Sequence, residues 1–233
     1  MSDKEVIIII GPPGAGKGTQ ADLISENLGF YHFETSKVVE EKFSTVDLSD
    51  ERISAAKKDF DSGELVDPEL VTQWVTEKIE MLAHDGHSVV MSSSPRTVFE
   101  ADNLMPVFEK LYGKENIKVV HLNLTKEESI KRNSTRRICK AHRHPIPNFE
   151  EYKDITVCPK DGSEILSRSI DNIETIGVRY EVYLRRTHPV FSALKDKGYE
   201  IIEIEGEQSI DKVYADILDG LETHTGNKSD DQT

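Results

Sequence analysis

The sequence predicts an α/β fold: a parallel five-stranded sheet with two inserted lobes. Three observations indicate it. Short apolar runs recur along the chain, stretches of helical periodicity separate them, and a glycine-rich loop directly follows the first run. Strands that alternate with helices form parallel sheets covered on both faces. Ligands of such sheets bind beyond the carboxyl ends of the strands, which is where the glycine-rich loop lies.

The predicted elements alternate in chain order. We expect strands at Val6–Ile10, Tyr31–Phe33, Val89–Met91, Lys118–Leu124 and Glu200–Ile204. Helical periodicity predicts helices at Gln20–Leu28, Glu69–Leu82, Val98–Leu111, Lys126–Arg137, Asp171–Lys195 and Ile210–Leu221.

Two segments break this alternation. Residues 34–66 are polar and helix-prone, whereas residues 138–169 hold both cysteines and lack helical periodicity. We expect each of them to form an inserted lobe. The core then comprises residues 1–33, 67–137 and 170–222, and the polar tail 223–233 is expected to be disordered.

Composition limits the partners and the compartment. A net charge of −14 argues against nucleic acid as the main partner, because its phosphate backbone would be repelled. No apolar run approaches the roughly 18 residues that a membrane span needs, and the first residues lack the pattern of a secretory signal. Two cysteines cannot form a disulfide framework, so we expect a cytoplasmic protein.

The glycine-rich loop carries the strongest functional signal. Gly11-Pro12-Pro13-Gly14-Ala15-Gly16-Lys17-Gly18-Thr19 follows a buried strand and opens a helix. Glycines let backbone N–H groups turn toward an anion, and the start of the helix adds its positive end. Lys17 would reach the β- and γ-phosphates, and Thr19 could face Mg²⁺. This context favours a site for a nucleoside triphosphate over an ordinary glycine-rich turn.

Several segments together resemble one family. The loop ends in Gly18-Thr19-Gln20. Four further segments follow in chain order: Thr35-Ser36, Gly63-Glu64-Leu65-Val66, Ser94-Pro95-Arg96-Thr97 and Arg132-x3-Arg136-Arg137. Two more arginines, Arg168 and Arg179, come after them. From about residue 6 to 222, the chain resembles adenylate kinases and related nucleoside monophosphate kinases. Taken singly, each arginine would be read as a solvated surface residue.

The resemblance implies a site for each substrate. The expected ATP-binding residues are Gly14, Ala15, Gly16, Lys17, Gly18, Thr19, Arg132, Arg136 and Gln208, with Mg²⁺ bound to the nucleotide. The expected acceptor-binding residues are Thr35, Ser36, Glu64, Leu65, Val66, Ser93, Arg96, Glu100, Arg168 and Arg179. The expected catalytic residues are Lys17, Arg96, Arg136, Arg168 and Arg179. Arginine suits this task because its charged fork holds two phosphate oxygens at once. The resemblance makes residues 34–66 the lobe that binds the acceptor and residues 138–169 a zinc-binding lid. The family also implies a monomer.

The lid carries a metal-ligand pattern. Cys139-x2-His142-x15-Cys158-x2-Asp161 gives two short ligand pairs with the spacing of a structural zinc site. His144 lies off this pattern and is expected at the surface. A metal-free, hydrogen-bonded lid remains the alternative, and a Cys139–Cys158 disulfide is less favoured in the cytoplasm.

The departures from the family pattern lie on the acceptor side. Glu40 stands where the family places an arginine on the monophosphate, and Lys37, Lys42 or Arg52 could substitute. Ser92-Ser93-Ser94 replaces Asp-Gly-Phe, so Ser92 brings no charge to the magnesium shell. Glu100 replaces a glutamine that reads adenine, and a carboxylate offers only acceptors.

Three functions stay open at this point. The first is reversible phosphoryl transfer from Mg·ATP to a nucleoside monophosphate, with AMP as the leading acceptor. The second is a kinase for another base, and the third is an ATP-binding protein with weak or no transfer.

Overall fold

A parallel five-stranded sheet runs through the centre of the molecule. The computed structural model describes residues 4–62, 64–92, 94–135, 137–141, 144–146, 152–167 and 173–226. The sheet contains β1 (Val6–Ile10), β2 (Tyr31–Phe33), β3 (Val89–Met91), β4 (Ile117–Asn123) and β8 (Ile201–Glu205). Their order is β2-β3-β1-β4-β8, and every pair is parallel. The predicted fold class is confirmed.

The helices described are α1 (Lys17–Leu28), α2 (Thr35–Phe43), α3 (Glu51–Ser62), α4 (Pro68–His84), α5 (Val98–Tyr112), α6 (Lys126–Ser134), α7 (Ile173–Val182), α8 (Pro189–Asp196) and α9 (Ile210–Gly226). A 3₁₀ turn covers Lys114–Asn116, and a π-helical segment, Tyr183–Thr187, links α7 to α8. Among these described helices, none combines the length and the apolar character needed to cross a membrane.

Strand β1 divides the core into two layers, because its side chains alternate between the faces of the sheet. Val6, Ile8 and Ile10 pack with the layer that contains α4, α5 and α8, whereas Ile7 and Ile9 pack with α1 and α9. All five are at most 3% exposed. A strand buried on both faces explains the unbroken apolar run in the sequence.

Residues 34–66 contain α2 and α3, which matches the expectation of a helical segment without a central strand. Phe43, at the end of α2, packs against Trp74 of α4 with ring centroids 5.3 Å apart and against Phe60 of α3 at 5.6 Å. These ring contacts join the segment to the core.

A second, small sheet forms within residues 137–167. It consists of β5 (Arg137–Cys139), β6 (Pro145–Ile146) and β7 (Ile165–Ser167), antiparallel in the order β6-β5-β7. Cys139, Ile146 and Cys158 are the buried residues beneath it.

Three predicted helix boundaries are wrong. Helix α6 ends at Ser134, and Arg137 is the first residue of β5 rather than the end of a helix. The predicted helix Asp171–Lys195 is interrupted by the π segment before Pro189, a residue that favours the first position of a helix. Helix α9 runs to Gly226, beyond its predicted end at Leu221.

Candidate active site

The loop after β1 has the backbone conformation that its glycines permit. Gly14 and Gly16 have φ values of 80° and 89°, which side chains with a Cβ rarely adopt. A Cβ on Gly11 would lie 2.5 Å from the carbonyl oxygen of Leu122 on β4. Glycine is therefore required here both for the left-handed turns and for close contact with the sheet.

Lys17 begins α1 and folds back over this loop. Its Nζ donates to the carbonyl oxygens of Gly11 and Pro12, each at 2.8 Å. The first turn of α1 contains no acidic residue, so the positive end of the helix is not neutralised from within its first turn. A cation and a helix start thus meet at the carboxyl edge of the sheet, the arrangement that binds phosphate.

Helix α6 holds the other side of the loop. Ser129 Oγ donates to the carbonyl oxygen of Pro13 at 2.7 Å. Arg132 Nη2 donates to the carbonyl oxygen of Gly206 at 2.9 Å, while its Nε pairs with Glu128 at 3.0 Å. Arg132 therefore lies beside the loop, and its expected contact with the donor base remains a prediction.

Arg96 and Arg179 bring two positive charges close together. Burial lowers the pKa of Arg96 below its ordinary value, Glu100 opposes this, and the nearby charge of Arg179 lowers it further. Thr187 Oγ1 donates to the carbonyl oxygen of Arg96 at 2.9 Å and fixes the backbone there. Two guanidinium groups close enough to repel one another would attract an anion.

Helix α7 carries Arg179 and is attached to the region of α6. Lys126 Nζ pairs with Glu181 at 2.6 Å, and Tyr180 Oη donates to the carbonyl oxygen of Leu124 at 3.0 Å. Arg136 and Arg168, the other two arginines expected around the transferred group, lie outside the described residues.

The residues expected to bind the acceptor include members of a buried hydrogen-bonded chain. Thr35 Oγ1 donates to Ser94 Oγ at 2.9 Å, and Ser94 Oγ donates to Glu100 Oε2 at 3.3 Å. The same carboxylate oxygen accepts the backbone N–H of Arg96 at 2.9 Å. Burial raises the pKa of Glu100, although the N–H group and the charge of Arg96 oppose the rise.

Glu100 therefore has a structural contact that the sequence reading missed. The carboxylate accepts from Thr97 Oγ1 at 3.2 Å, and Thr97 in turn caps α5 by accepting the N–H of Glu100 at 3.1 Å. A threonine followed three residues later by a glutamate is the capping-box pattern, so the signal was present in the sequence.

Of the other acceptor-side candidates, Thr35 and Val66 are buried, Leu65 is half-buried, and Ser36 and Glu64 are exposed. Ser93 lies outside the described residues. On the donor side, Gln208 Nε2 donates to the carbonyl oxygen of Glu205 at 2.8 Å and to Asp216 at 2.9 Å. Its expected contact with ATP remains a prediction.

A cluster of four possible metal ligands lies in the small sheet. Cys139, His144, Cys158 and Asp161 have ligand atoms that all lie within 4.8 Å of one another. His144 Nδ1 is 3.5 Å from Cys139 Sγ and 3.4 Å from Cys158 Sγ. Asp161 Oδ2 is 3.4 Å from Cys139 Sγ and 3.2 Å from His144 Nδ1.

Comparison with known proteins agrees with this geometry. A family model described as adenylate kinase matches residues 9–199. The chain belongs to the adenylate kinase family. It is 35% identical over 219 residues to the adenylate kinase of Bacillus licheniformis, covering 92% of this chain and 97% of that protein. The adenylate kinases of Lysinibacillus sphaericus and Methanocella arvoryzae are 36% and 33% identical over 220 and 216 residues. These matches cover 92% and 90% of this chain, and 96% and 95% of the relatives.

The expectation that His144 lies at the surface, off the ligand pattern, is wrong. His144 does not lie apart from the cysteines at the surface, because its half-buried ring contacts both of them. The backbone N–H of His144 also donates to Cys139 Sγ at 3.2 Å. His142, the ligand expected from the spacing, lies outside the described residues.

Glu40 stands where the family places an arginine. The three cations that could substitute for that arginine all contact acidic groups. Lys37 pairs with Glu34, and Lys42 pairs with Glu77. Arg52 pairs with Asp67 at 2.7 Å and with Glu69 at 2.6 Å. A phosphate would have to compete with these carboxylates for each of the three.

A second series of hydrogen-bonded polar side chains lies near the candidate site and was not predicted from the sequence. Asp22 of α1 contacts His32 of β2, and His32 contacts Ser92, which directly follows β3. Lys160, which lies between Cys158 and Asp161 in sequence, reaches the same helix, where its Nζ lies 3.4 Å from Asp22 and 2.8 Å from Glu26. These residues are far apart in sequence and match no short motif, so only the fold brings them together.

Proposed function

We propose that this chain catalyses the reversible transfer of a phosphoryl group from Mg·ATP to AMP, which yields two ADP. The carrying observation is the closeness of Arg96 and Arg179, whose positive charges repel one another, beyond the carboxyl end of β3. Strand β3, which leads to Arg96, is hydrogen-bonded to β1, which leads to the loop. Membership of the adenylate kinase family supports the same reaction.

The chemistry needs positioning and positive charge more than covalent catalysis. Negative charge spreads over the oxygens of the transferred group in the transition state, so preorganised cations lower the barrier. Lys17 and the loop N–H groups hold the donor phosphates, and Arg96 and Arg179 hold the group between donor and acceptor. We assign Arg136 and Arg168 to the same cage.

Magnesium fits the groups on the donor side. Thr19, in the first turn of α1, and Ser92, at the end of β3, offer neutral hydroxyl oxygens. Mg²⁺ in nucleotide sites keeps several waters and takes charged ligands from the phosphates, and a hydroxyl near the start of the helix after the loop is a usual further ligand. When bound with ATP, Mg²⁺ neutralises charge on the β- and γ-phosphates.

The reaction is tested by a coupled assay of ATP with AMP, CMP, UMP, GMP and dAMP. We expect the highest kcat/KM with AMP and a loss of several orders of magnitude in Lys17→Ala. Lys131→Ala is the matched control, because Lys131 pairs with Glu128 on the exposed side of α6 at 2.9 Å and should keep full activity. Tight ATP binding without turnover of any monophosphate would contradict the proposed reaction, and preference for another base would contradict AMP as acceptor.

The lid cluster fits a structural zinc ion. Tetrahedral zinc, with bonds of about 2.3 Å to sulfur and about 2.0 Å to nitrogen or oxygen, separates sulfur from nitrogen or oxygen ligands by about 3.5 Å. It separates nitrogen from oxygen by about 3.3 Å on the same geometry. The distances in the cluster, 3.4–3.5 Å and 3.2 Å, agree with these values. We assign Cys139, His144, Cys158 and Asp161 as the ligands. A closed set of four ligands would cross-link the two ends of the lid.

Metal analysis of the purified protein tests this assignment. We expect about one zinc per chain in the wild type and a loss of zinc in Cys158→Ser, with a lower Tm because binding energy becomes folding energy. His144→Ala should lose zinc, whereas His142→Ala, which removes the ligand expected from spacing, should retain it. The opposite result for the two histidines would return the ligand role to His142, and metal-free protein would support a hydrogen-bonded lid.

We further propose that residues 34–66 and 138–169 act as lobes that close over the substrates. Closure would exclude the water that otherwise hydrolyses ATP. Every group assigned to the site belongs to one chain, and we propose that the protein acts as a monomer. Light scattering at the assay concentration tests this, and a dimer at that concentration would contradict it.

A further inference from the structure

Three polar side chains from three elements form a continuous chain at the edge of the sheet. Asp22 Oδ1 lies 2.8 Å from His32 Nδ1, and His32 Nε2 lies 2.8 Å from Ser92 Oγ. The side chains of Asp22 and His32 are 27% and 12% exposed, and Ser92 is 4% exposed. Both contacts have good hydrogen-bond lengths, so the orientation of His32 is fixed from both sides.

The direction of the hydrogen bonds follows from the charge of Asp22. Burial by itself would raise the pKa of Asp22, but the hydrogen bond from His32 and the charge of Lys160 oppose it, and the pKa lies below its ordinary value. Asp22 is thus a carboxylate at neutral pH and can only accept, which places a proton on His32 Nδ1. In the neutral ring Nε2 then accepts, and the hydroxyl proton of Ser92 must point toward it.

As a result, Ser92 presents only lone pairs to its remaining surroundings. Met91, the residue before it, pairs in register with Ile8 of β1. Ser92 therefore lies level with the end of β1, about two residues before Gly11 opens the phosphate loop. At this edge a ligand that donates a hydrogen bond would meet an oxygen that can only accept.

We propose that Asp22 and His32 orient Ser92 as the acceptor for a water bound to the Mg²⁺ of the donor nucleotide. His32 is a positioning residue in this arrangement, and the inference rests on the proposed function. Waters on Mg²⁺ are strong donors, and a carboxylate accepts them in any orientation. A neutral hydroxyl accepts them only if its own proton is directed elsewhere, which is what His32 provides.

Glutamine at position 32 offers a matched variant. The two nitrogens of imidazole are attached to one carbon, as are the nitrogen and oxygen of an amide, so glutamine can donate to Asp22 and accept from Ser92. Leucine at position 32 fills the space but can do neither. The comparison therefore separates orientation of Ser92 from packing of the ring.

The test is calorimetric binding of a non-hydrolysable ATP analogue with and without MgCl₂. We expect Mg²⁺ to tighten binding to the wild type, and His32→Leu and Ser92→Ala to lose about threefold to tenfold of that gain, the size of one hydrogen bond. His32→Gln should keep the gain, and the affinity for the metal-free analogue should stay the same in all three variants.

Other results would overturn the inference. One such result is that Mg²⁺ tightens binding of the analogue to His32→Leu and Ser92→Ala as much as it does to the wild type. Another is that these variants lose the same affinity with and without Mg²⁺, which would indicate a purely structural role. A loss in His32→Gln as large as in His32→Leu would also contradict it. Failure of the wild type to bind the analogue at all would instead overturn the proposed function on which the inference rests.

Discussion

Single residues in this chain serve the fold and the site at once, and Glu100 is the clearest case. Its carboxylate accepts from the Arg96 backbone and from Thr97, and burial raises its pKa. A carboxylic acid whose pKa is raised in the folded state stabilises that state most when it is protonated. Its contribution is fully present below about pH 4.5, the ordinary value, and is lost as the pH rises through the folded pKa.

Glu100→Gln should remove this pH dependence. The free energy of unfolding of the variant, relative to the wild type, is expected to rise with pH above about 4.5, with a slope of at most about 1.4 kcal/mol per pH unit. Urea denaturation of both proteins from acidic to neutral pH measures the difference. A difference that stays constant across this range would show that Glu100 keeps an ordinary pKa in the fold.

The site residues also show what a sequence can predict. The loop around Lys17 was predictable because its chemistry is local: an apolar run, glycines and a lysine stand together in the chain. Taken from the sequence alone, Ser92 indicates only a loss of charge from the magnesium shell, since neither His32 nor Asp22 is near it in sequence. Likewise, the contact of His144 with Cys139 and Cys158 depends on how the chain turns between the strands of the small sheet.

At the scale of elements, the start of α4 joins the proposed acceptor lobe to the core. Asp67 Oδ1 accepts the backbone N–H of Glu69 at 2.9 Å, and Pro68 occupies the first helical position. Arg52 of α3 also pairs with Asp67 and Glu69. The cap satisfies an N–H group that would lack a partner within the helix, whereas the ion pair is exposed and therefore contributes little.

Two variants of Asp67 separate these contacts. Asp67→Ala removes the cap and the ion pair and should lower the free energy of unfolding by about 1 kcal/mol. Asp67→Asn keeps a capping oxygen and loses only the charge, so it should stay close to the wild type. Chemical denaturation measures both values, and equal losses would assign the stabilisation to the ion pair instead of the cap.

The predicted element boundaries failed where periodicity does not determine the outcome. Residues 171–195 show one helical pattern, yet the chain forms a π segment at Tyr183–Thr187 and begins a new helix at Pro189. Thr187 and Tyr183 are held there by tertiary contacts, the first to the Arg96 carbonyl and the second to His121 at 3.0 Å. Contacts with residues this far away in sequence are not encoded in local periodicity.

At the scale of the whole molecule, Lys160 attaches the proposed lid to the core. This residue stands between Cys158 and Asp161, so the proposed zinc site fixes the turn that carries it. Its ammonium group bridges Asp22 and Glu26 of α1, and their charges raise the pKa of Lys160 although burial opposes the rise. The lid therefore contacts the carboxylate that also holds His32.

Lys160→Met should weaken the attachment of the lid in the nucleotide-free protein. It removes the charge and keeps most of the apolar stem, so amide hydrogen exchange in residues 152–167 should become faster. Lys140→Met is the matched control, because Lys140 pairs with Glu164 within the same small sheet at 2.9 Å and should leave that exchange close to the wild-type rate.

Raising the ionic strength to about 1 M, where charges are screened beyond about 3 Å, should accelerate exchange in the wild type and have little effect on Lys160→Met. Equal acceleration by salt in both proteins would mean that contacts other than the Lys160 ion pairs hold the lid against α1.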